Sequence, residues 1–386
     1  MPTATQKLPT VGPSVFAYYT QLAQQHGAVN LGQGFPDFAP DPRLLAHTQA
    51  ALAEGHNQYA PLAGVLSLRE QLAALYSAAF GAVYDPLTEI TVTSGATEAI
   101  FSLLQALVGP GDEVIYFEPA YDSYRPGIAL AGATPVALPL ALPSGQLDPE
   151  RLAQAVTPRT RAILVNTPHN PTGTVLSRDS FAVLAEVAER HDLLVISDEV
   201  YAWMHFDGLP YVGVGSFPAL RERALLIGSF GKCLHATGWK LGYVMAPAHL
   251  TEELRKVHQF VTFAGPTPLQ VGIARFLAEV PTFFTELGPL FEAKRNFLQA
   301  ELAGTGLVPQ PCCGTYFQCV AAPSHGQLTD TELAHHLVAE ARVAALPLSP
   351  FVHTGASTGL LRLCFAKQEA TLSEAGARLR AWAQRG

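Results

Sequence analysis

Leu193-Leu194-Val195-Ile196-Ser197-Asp198-Glu199-Val200-Tyr201 is a short apolar run that ends on two carboxylates and a tyrosine. Just upstream, Arg178 to His191 places Phe181, Leu184, Ala185 and Ala188 at i, i+3, i+4 and i+7, one face of a helix. The same alternation of helical pattern and apolar run extends from about residue 88 to 246. Its other runs are Ile90 to Thr93, Glu113 to Phe117, Arg161 to Asn166, Ala224 to Ser229 and Leu241 to Ala246. Strands that alternate with helices form a mostly parallel sheet covered by helices on both faces. The fold class expected is therefore α/β.

After about residue 280 the texture changes. A helical stretch around Phe283 to Leu302 leads to strand-like pieces at Gly314 to Val320 and Leu360 to Phe365. Thr329 with Glu332, and Thr371 with Glu374, have the spacing of capping boxes at helix starts. These features predict a smaller α+β domain. The expected division is an N-terminal arm and part of the small domain at 1–40, a large domain at 41–280 and a small C-terminal domain at 281–386.

Composition narrows the function. At 48% hydrophobic and 15% charged residues, 386 residues can bury a sizeable core. The net charge of −8, without a basic cluster, argues against nucleic acid as a partner. No apolar stretch approaches ~18 residues, so no membrane span is expected, and residues 1–13 lack the apolar core of a secretory signal. Five cysteines without C-x-x-C spacing read as thiols of a reducing compartment, hence the cytoplasm, with no metal site.

In an open α/β sheet, ligands bind at the carboxyl ends of the strands, and here those ends are polar. Thr93 opens into Ser94-Gly95-Ala96-Thr97-Glu98, a glycine turn into a helix start. Such a start offers free N–H groups to an anion, although an ordinary strand–helix turn reads the same way. Asn166 continues into Thr167-Pro168-His169-Asn170-Pro171, where flanking prolines fix the direction of Asn170. A tight turn explains that equally well, and His169 is a loop histidine on this reading. Asp198, at the end of a buried strand, needs a cation or a donor, unless it is a helix cap.

The run ending at Ser229 continues Phe230-Gly231-Lys232-Cys233-Leu234-His235-Ala236-Thr237-Gly238-Trp239-Lys240-Leu241-Gly242. The chain has only six lysines, and two of them stand here, among glycines and between apolar runs. A lysine desolvated in such a place has a lowered pKa and can form a Schiff base. A second lysine near a serine hydroxyl suits a phosphate.

Ser229-x-Gly231-Lys232 followed by Thr237-Gly238-Trp239-Lys240-x-Gly242 resembles the cofactor-lysine signature of class I aminotransferases, the fold-type-I pyridoxal-phosphate enzymes. The resemblance runs in the family's order along most of the chain. It takes in Leu31 to Phe38 (Leu-Gly-Gln-Gly-Phe-Pro-Asp-Phe), Asn57-Gln58-Tyr59, Ser94 to Glu98, Glu118 to Tyr124, Asn166 to Pro171, Asp198 to Tyr201, the lysine motif, and Arg362 within Leu361-Arg362-Leu363-Cys364-Phe365. Gly-Gln-Gly-Phe-Pro-Asp-Phe and Thr-Gly-Trp-Lys are most similar to the kynurenine/glutamine and bacterial methionine aminotransferases. Lys240 stands where many members of the wider family have arginine, which gives a point charge rather than a fork.

The resemblance implies pyridoxal 5′-phosphate as cofactor and a role for each matching residue. Lys232 would hold the cofactor as a Schiff base and shuttle the proton between the substrate α-carbon and the cofactor. Asp198 would pair with the ring nitrogen, Tyr201 and Asn170 with the phenolic oxygen, and Tyr121 would stack on the ring. Gly95, Ala96 and Thr97 would hold the phosphate with Ser229 and Lys240. Tyr59 would reach the phosphate of a neighbouring subunit, which implies a homodimer. Arg362 would clamp the substrate carboxylate, with Asn170 and the Gly34 backbone beside it.

The expected reaction is ping-pong transamination between an apolar or aromatic L-amino acid, methionine first, and a 2-oxo acid. Phe16, Tyr18 and Trp203 are candidates for the side-chain pocket. A β-lyase acting on cysteine S-conjugates would use the same lysine. A non-catalytic cofactor-binding regulator would need a basic DNA-binding module. A nicotinamide dehydrogenase would need Gly-x-Gly-x-x-Gly after the first strand, where Ser94-Gly95-Ala96-Thr97 stands instead.

Overall fold

A computed structural model describes residues 5–9, 11–323 and 327–385. Residues 1–4 and 10 of the expected N-terminal arm lie outside the described residues. Helix α1 (Val15–His26) leads to the two-residue strand β1 (Val29–Asn30), then helices α2 (Pro42–Ala53) and α3 (Leu66–Phe80). The alternating region follows as β2 (Ile90–Thr93), α4 (Gly95–Leu107), β3 (Glu113–Glu118), α5 (Tyr124–Leu130), β4 (Thr134–Pro139), α6 (Pro149–Ala155), β5 (Thr160–Asn166), α7 (Arg178–Arg190) and β6 (Leu194–Asp198). It closes with β7 (Ala224–Ser229), the single turn α8 (Phe230–Cys233) and β8 (Gly242–Met245). Beyond lie α9 (Ala248–Val261), α10 (Thr267–Glu279), α11 (Leu287–Glu301), β9 (Val308–Pro309), β10 (Phe317–Ala321) and α12 (Asp330–His336). The last elements are β11 (Val343–Ala344), β12 (Leu346–Pro347), β13 (Leu360–Cys364) and α13 (Glu369–Ala383).

The large sheet has the order β2-β8-β7-β6-β5-β3-β4. Its strands are parallel except β8, which runs against both of its neighbours. Strands β2, β3, β7 and β8 are buried along their whole length, as strands covered on both faces must be. Register matters more than strand count. Asn166 pairs with Asp198 across β5 and β6, and Asp198 pairs with Ile227 of β7, so Ser229 lies two residues further on. Three polar residues thus stand side by side along one edge.

A four-stranded antiparallel sheet, β12-β13-β10-β9, carries Arg362 in its middle, paired with Cys319 and Leu346. The N-terminal segment joins the C-terminal part of the chain. β1 pairs in parallel with β11, and the Cys364 N–H donates to the Leu31 carbonyl at 2.6 Å. Among the described residues, no helix is long and apolar enough to cross a membrane.

One sequence expectation needs correction here. The capping box at Thr329 and Glu332 forms, but Thr371 does not begin a helix. It lies within α13, capped at Gln368, and its hydroxyl donates to Asp37 at 2.7 Å. The apolar runs of the sequence reading do not include β4, whose Pro135 and Pro139 would argue against a central strand. β4 is an edge strand, where a missing N–H costs little.

Candidate active site

The carboxyl edge of the large sheet opens into a cavity of about 140 Å³. Gly95, Ala96, Thr97, Tyr121, Asn170, Asp198, Tyr201, Ser229, Lys232 and Lys240 all line it, joined by Asn166 and Thr237. Tyr59, Gly34 and Arg362 are not in its wall.

At one end, helix α4 begins without a side-chain cap. Its Gly95 has φ +76°, a left-handed conformation suited to glycine. The preceding Ser94 N–H is taken by Glu98 at 3.0 Å, and Glu98 is itself met by His258. The Gly95, Ala96 and Thr97 N–H groups are left at a positive helix end. The Lys240 ammonium lies close by, 3.6 Å from where a side chain at Gly95 would begin. Gly242 lets α4 sit so near β8, since a Cβ there would come within 2.8 Å of the Ala96 nitrogen. The Ser229 hydroxyl caps α8 and accepts from the Lys232 N–H at 3.4 Å.

At the middle stands Lys232, half-buried. Its Nζ has no hydrogen bond or ion pair among the described residues and lies 5.9 Å from the Tyr316 ring centre. Burial pushes this amine down to about 8, helped by the Arg362 and Lys240 charges and opposed by Cys364 and Asp198. Asp198 is 4% exposed. Its Oδ2 accepts from the Tyr124 hydroxyl at 2.6 Å, and its Oδ1 from the Val200 N–H at 3.3 Å. Burial lifts this carboxyl to about 6, against the pull of those two donors and Lys232. The Tyr201 ring is buried edge-on against Tyr316 and Phe317, and burial raises its phenol above the ordinary range. Tyr121 faces the cavity, with its hydroxyl 3.4 Å from that of Thr97.

At the far side, Arg362 is 1% exposed yet has no carboxylate within ion-pair distance among the described residues. It donates to Asn170 Oδ1 at 2.8 Å and to the Gly32 carbonyl at 2.9 Å. Its Nε has no partner among the described residues. The guanidinium lies 3.9 Å over the Phe317 ring, with Phe16 and Phe351 at 5.4 and 5.5 Å. A buried cation with an orphaned donor and aromatic walls is built to receive an anion. Asn170 keeps its Nδ2 donors, which have no protein acceptor among the described residues. Gly34 sits beside this end. Its carbonyl accepts from the Tyr316 hydroxyl at 2.9 Å, and a Cβ there would meet Phe317 at 2.7 Å.

Other candidates lie elsewhere. Tyr59 is 87% exposed, with its ring against Phe263 at 5.5 Å. Of the three side-chain pocket candidates, only Phe16 is near Arg362. Tyr18 is on the surface, bonded to His335. Trp203 is a correction: it packs in the core against Tyr76, Phe80 and Phe284, because α3 and the segment before α11 cover it. The sequence reading missed Tyr124, Asn166, Tyr316 and Phe317 as parts of the site. Two of them carried a signal: Asn166 ends an apolar run, and Tyr124 stands three residues after Tyr121.

This arrangement is that of an aminotransferase. The model of the family aminotransferase class I and II matches residues 26–379, and the chain belongs to that family of pyridoxal-phosphate enzymes. Methionine aminotransferase of Escherichia coli is 44% identical over 97% of each chain. A crystal structure from Escherichia coli described as having a methionine aminotransferase function superposes with a TM-score of 0.96 at 43% identity, covering 99% of this chain and 100% of that one. Kynurenine–oxoglutarate transaminase 1 of Mus musculus is 35% identical, over 98% of this chain and 97% of its own. The fold is that of the fold-type-I enzymes, which include the Thermus thermophilus aspartate aminotransferase at TM-score 0.89 and 29% identity over 99% of this chain and 100% of that chain.

In the cofactor-free protein, Lys232 should react with an amine-selective reagent with an inflection near pH 8, because its folded pKa lies below the ordinary value near 10.5. Peptide mass spectrometry across a pH series would show it reacting well before an exposed lysine such as Lys256. Equal profiles would contradict the desolvation described here.

Proposed function

We propose that the enzyme transfers the amino group of a medium-sized apolar L-amino acid, methionine above all, to a 2-oxo acid, with pyridoxal 5′-phosphate held by Lys232. The observation that carries this reading is the convergence in one cavity of an unpartnered lysine, a buried aspartate and an uncapped helix start. The donor set fits the cofactor. The Gly95–Thr97 N–H groups, Ser229 and Lys240 suit its phosphate, Asp198 its ring nitrogen, Tyr201 and Asn170 its phenolic oxygen, and Tyr121 a face of its ring. When bound, the group supplies an electron-accepting ring that stabilises negative charge at the substrate α-carbon.

The protein's own residues do the rest. Lys232, easily deprotonated in this site, removes the α-proton with its neutral Nζ. Asp198, as a carboxylate, keeps a positive charge on the ring nitrogen opposite it. Arg362 binds the substrate α-carboxylate in a bidentate pair, while Asn170 and the Gly34 backbone bound that end. Phe16, Phe317 and Phe351 around the guanidinium favour an apolar side chain. The names of the methionine and kynurenine relatives support that choice. Since donor and acceptor use one site in turn, the kinetics are ping-pong.

The working unit is a homodimer, and Tyr59 completes the phosphate site of the partner subunit. The outward rings of Tyr59, Phe260 and Phe263 support this, at 87%, 85% and 43% exposure. Five free thiols, four of them buried, support a cytoplasmic location.

In a donor panel with one 2-oxo acid, methionine should give the highest kcat/KM and aspartate a far lower one, with Lys232→Ala inactive. Faster turnover of aspartate would reject the substrate class, and near-normal turnover by Lys232→Ala would reject the mechanism. Arg362→Lys should raise KM for methionine by about 10- to 100-fold, because a bidentate charged pair becomes a point contact. Phe260→Asp should lower the mass seen by light scattering from dimer to monomer. A dimer unchanged by that substitution would place the interface elsewhere.

A further inference from the structure

Asp198 stands at the end of β6 with no cation in ion-pair distance among the described residues. Its Val200 contact is long, at 3.3 Å, and comes from its own segment. Its short bond, 2.6 Å, comes from Tyr124, which opens α5, the helix between β3 and β4. Tyr124 is 2% exposed, and its ring meets that of Tyr121 edge-on at 5.7 Å. One residue therefore touches both Asp198 and the aromatic wall of the cavity.

We propose that Tyr124 is a positioning residue of this enzyme, whose hydroxyl fixes the rotamer and the charge of Asp198 where that carboxylate faces the cofactor ring. The proposal rests on the reading that Asp198 meets the ring nitrogen. An aspartate in this place is useful only as a carboxylate, and burial works against that state. A hydrogen bond donated to the ionised form favours it. The other titratable groups around Asp198 are Lys232, Tyr121, Tyr201, Tyr211 and Glu199. Lys232 favours its charge, while Glu199, if ionised, would oppose it. Tyr124 stays a neutral donor throughout, because burial and Asp198 push its own phenol well above the ordinary range. A tyrosine placed only for packing would not need its hydroxyl on the one carboxylate that the chemistry uses.

The test compares the holoenzymes of wild type, Tyr124→Phe, Tyr124→Leu and Asp198→Asn. Each is followed by spectrophotometric pH titration of the bound cofactor and by steady-state kinetics. Removing the hydroxyl while keeping the ring should move the acid-side inflection up by about one pH unit or more, the worth of a charged hydrogen bond. In the same variant kcat should fall by about tenfold or more, while KM for the amino acid, set at Arg362, stays within about twofold. A Tyr124→Phe enzyme with the wild-type acid limb and kcat overturns the proposal, and the more so if Tyr124→Leu alone is impaired, which would mark a packing role. If Asp198→Asn also matches wild type in both readouts, the underlying reading of Asp198 fails instead.

Discussion

The side-chain amide of Asn166 is the joint on which the site depends. It donates to the Asp198 carbonyl at 2.8 Å and accepts from the Asn170 N–H at 2.7 Å. Asn170 then accepts from Arg362, and Asp198 accepts from Tyr124. One amide thus links, through short bonds, the strand that ends in the aspartate, the loop that carries Asn170 and the arginine of the smaller sheet. The link exists because β5 and β6 pair in the register that sets Asn166 beside Asp198. A slip by one residue would turn both side chains to opposite faces.

Around that joint the charges are arranged by burial as much as by pairing. Lys232 and Arg362 are both desolvated, and the charge of Arg362 lies near enough to discourage that of Lys232. Neither is neutralised by a neighbouring carboxylate within ion-pair distance among the described residues. Such an arrangement is costly in the free protein and is relieved by bound anions. The aromatic rings over the guanidinium lower part of that cost without competing for its hydrogen bonds.

Much of this was legible in the sequence, for a physical reason. Strand ends are punctuated: an apolar run that stops on Asp198, Asn166 or Ser229 announces a carboxyl edge, and α/β sheets place their ligands there. The α4 start was equally plain, as glycine after a strand. What stayed hidden depends on tertiary neighbours. Tyr124 and Asn166 acquire their roles only from register and from the docking of α5. Trp203 looked available for a pocket because one sequence cannot show that Tyr76, Phe80 and Phe284 close over it. Thr371 had the spacing of a cap, but Asp37, from the far end of the chain, engages its hydroxyl instead.

The Arg362–Gly32 bond joins residues 330 positions apart, and β1 with β11 closes the same long loop. During synthesis the two ends of the site therefore mature at different times. The strands that end at Asn166, Asp198 and Ser229 have all been made once Met245 has left the ribosome. The Arg362 end must wait for almost the whole chain, and its N-terminal half must wait unpaired. Contacts of such long range are slow to close. A nascent chain thus passes through a stage in which the sheet-edge half of the site has been made and the Arg362 half has not.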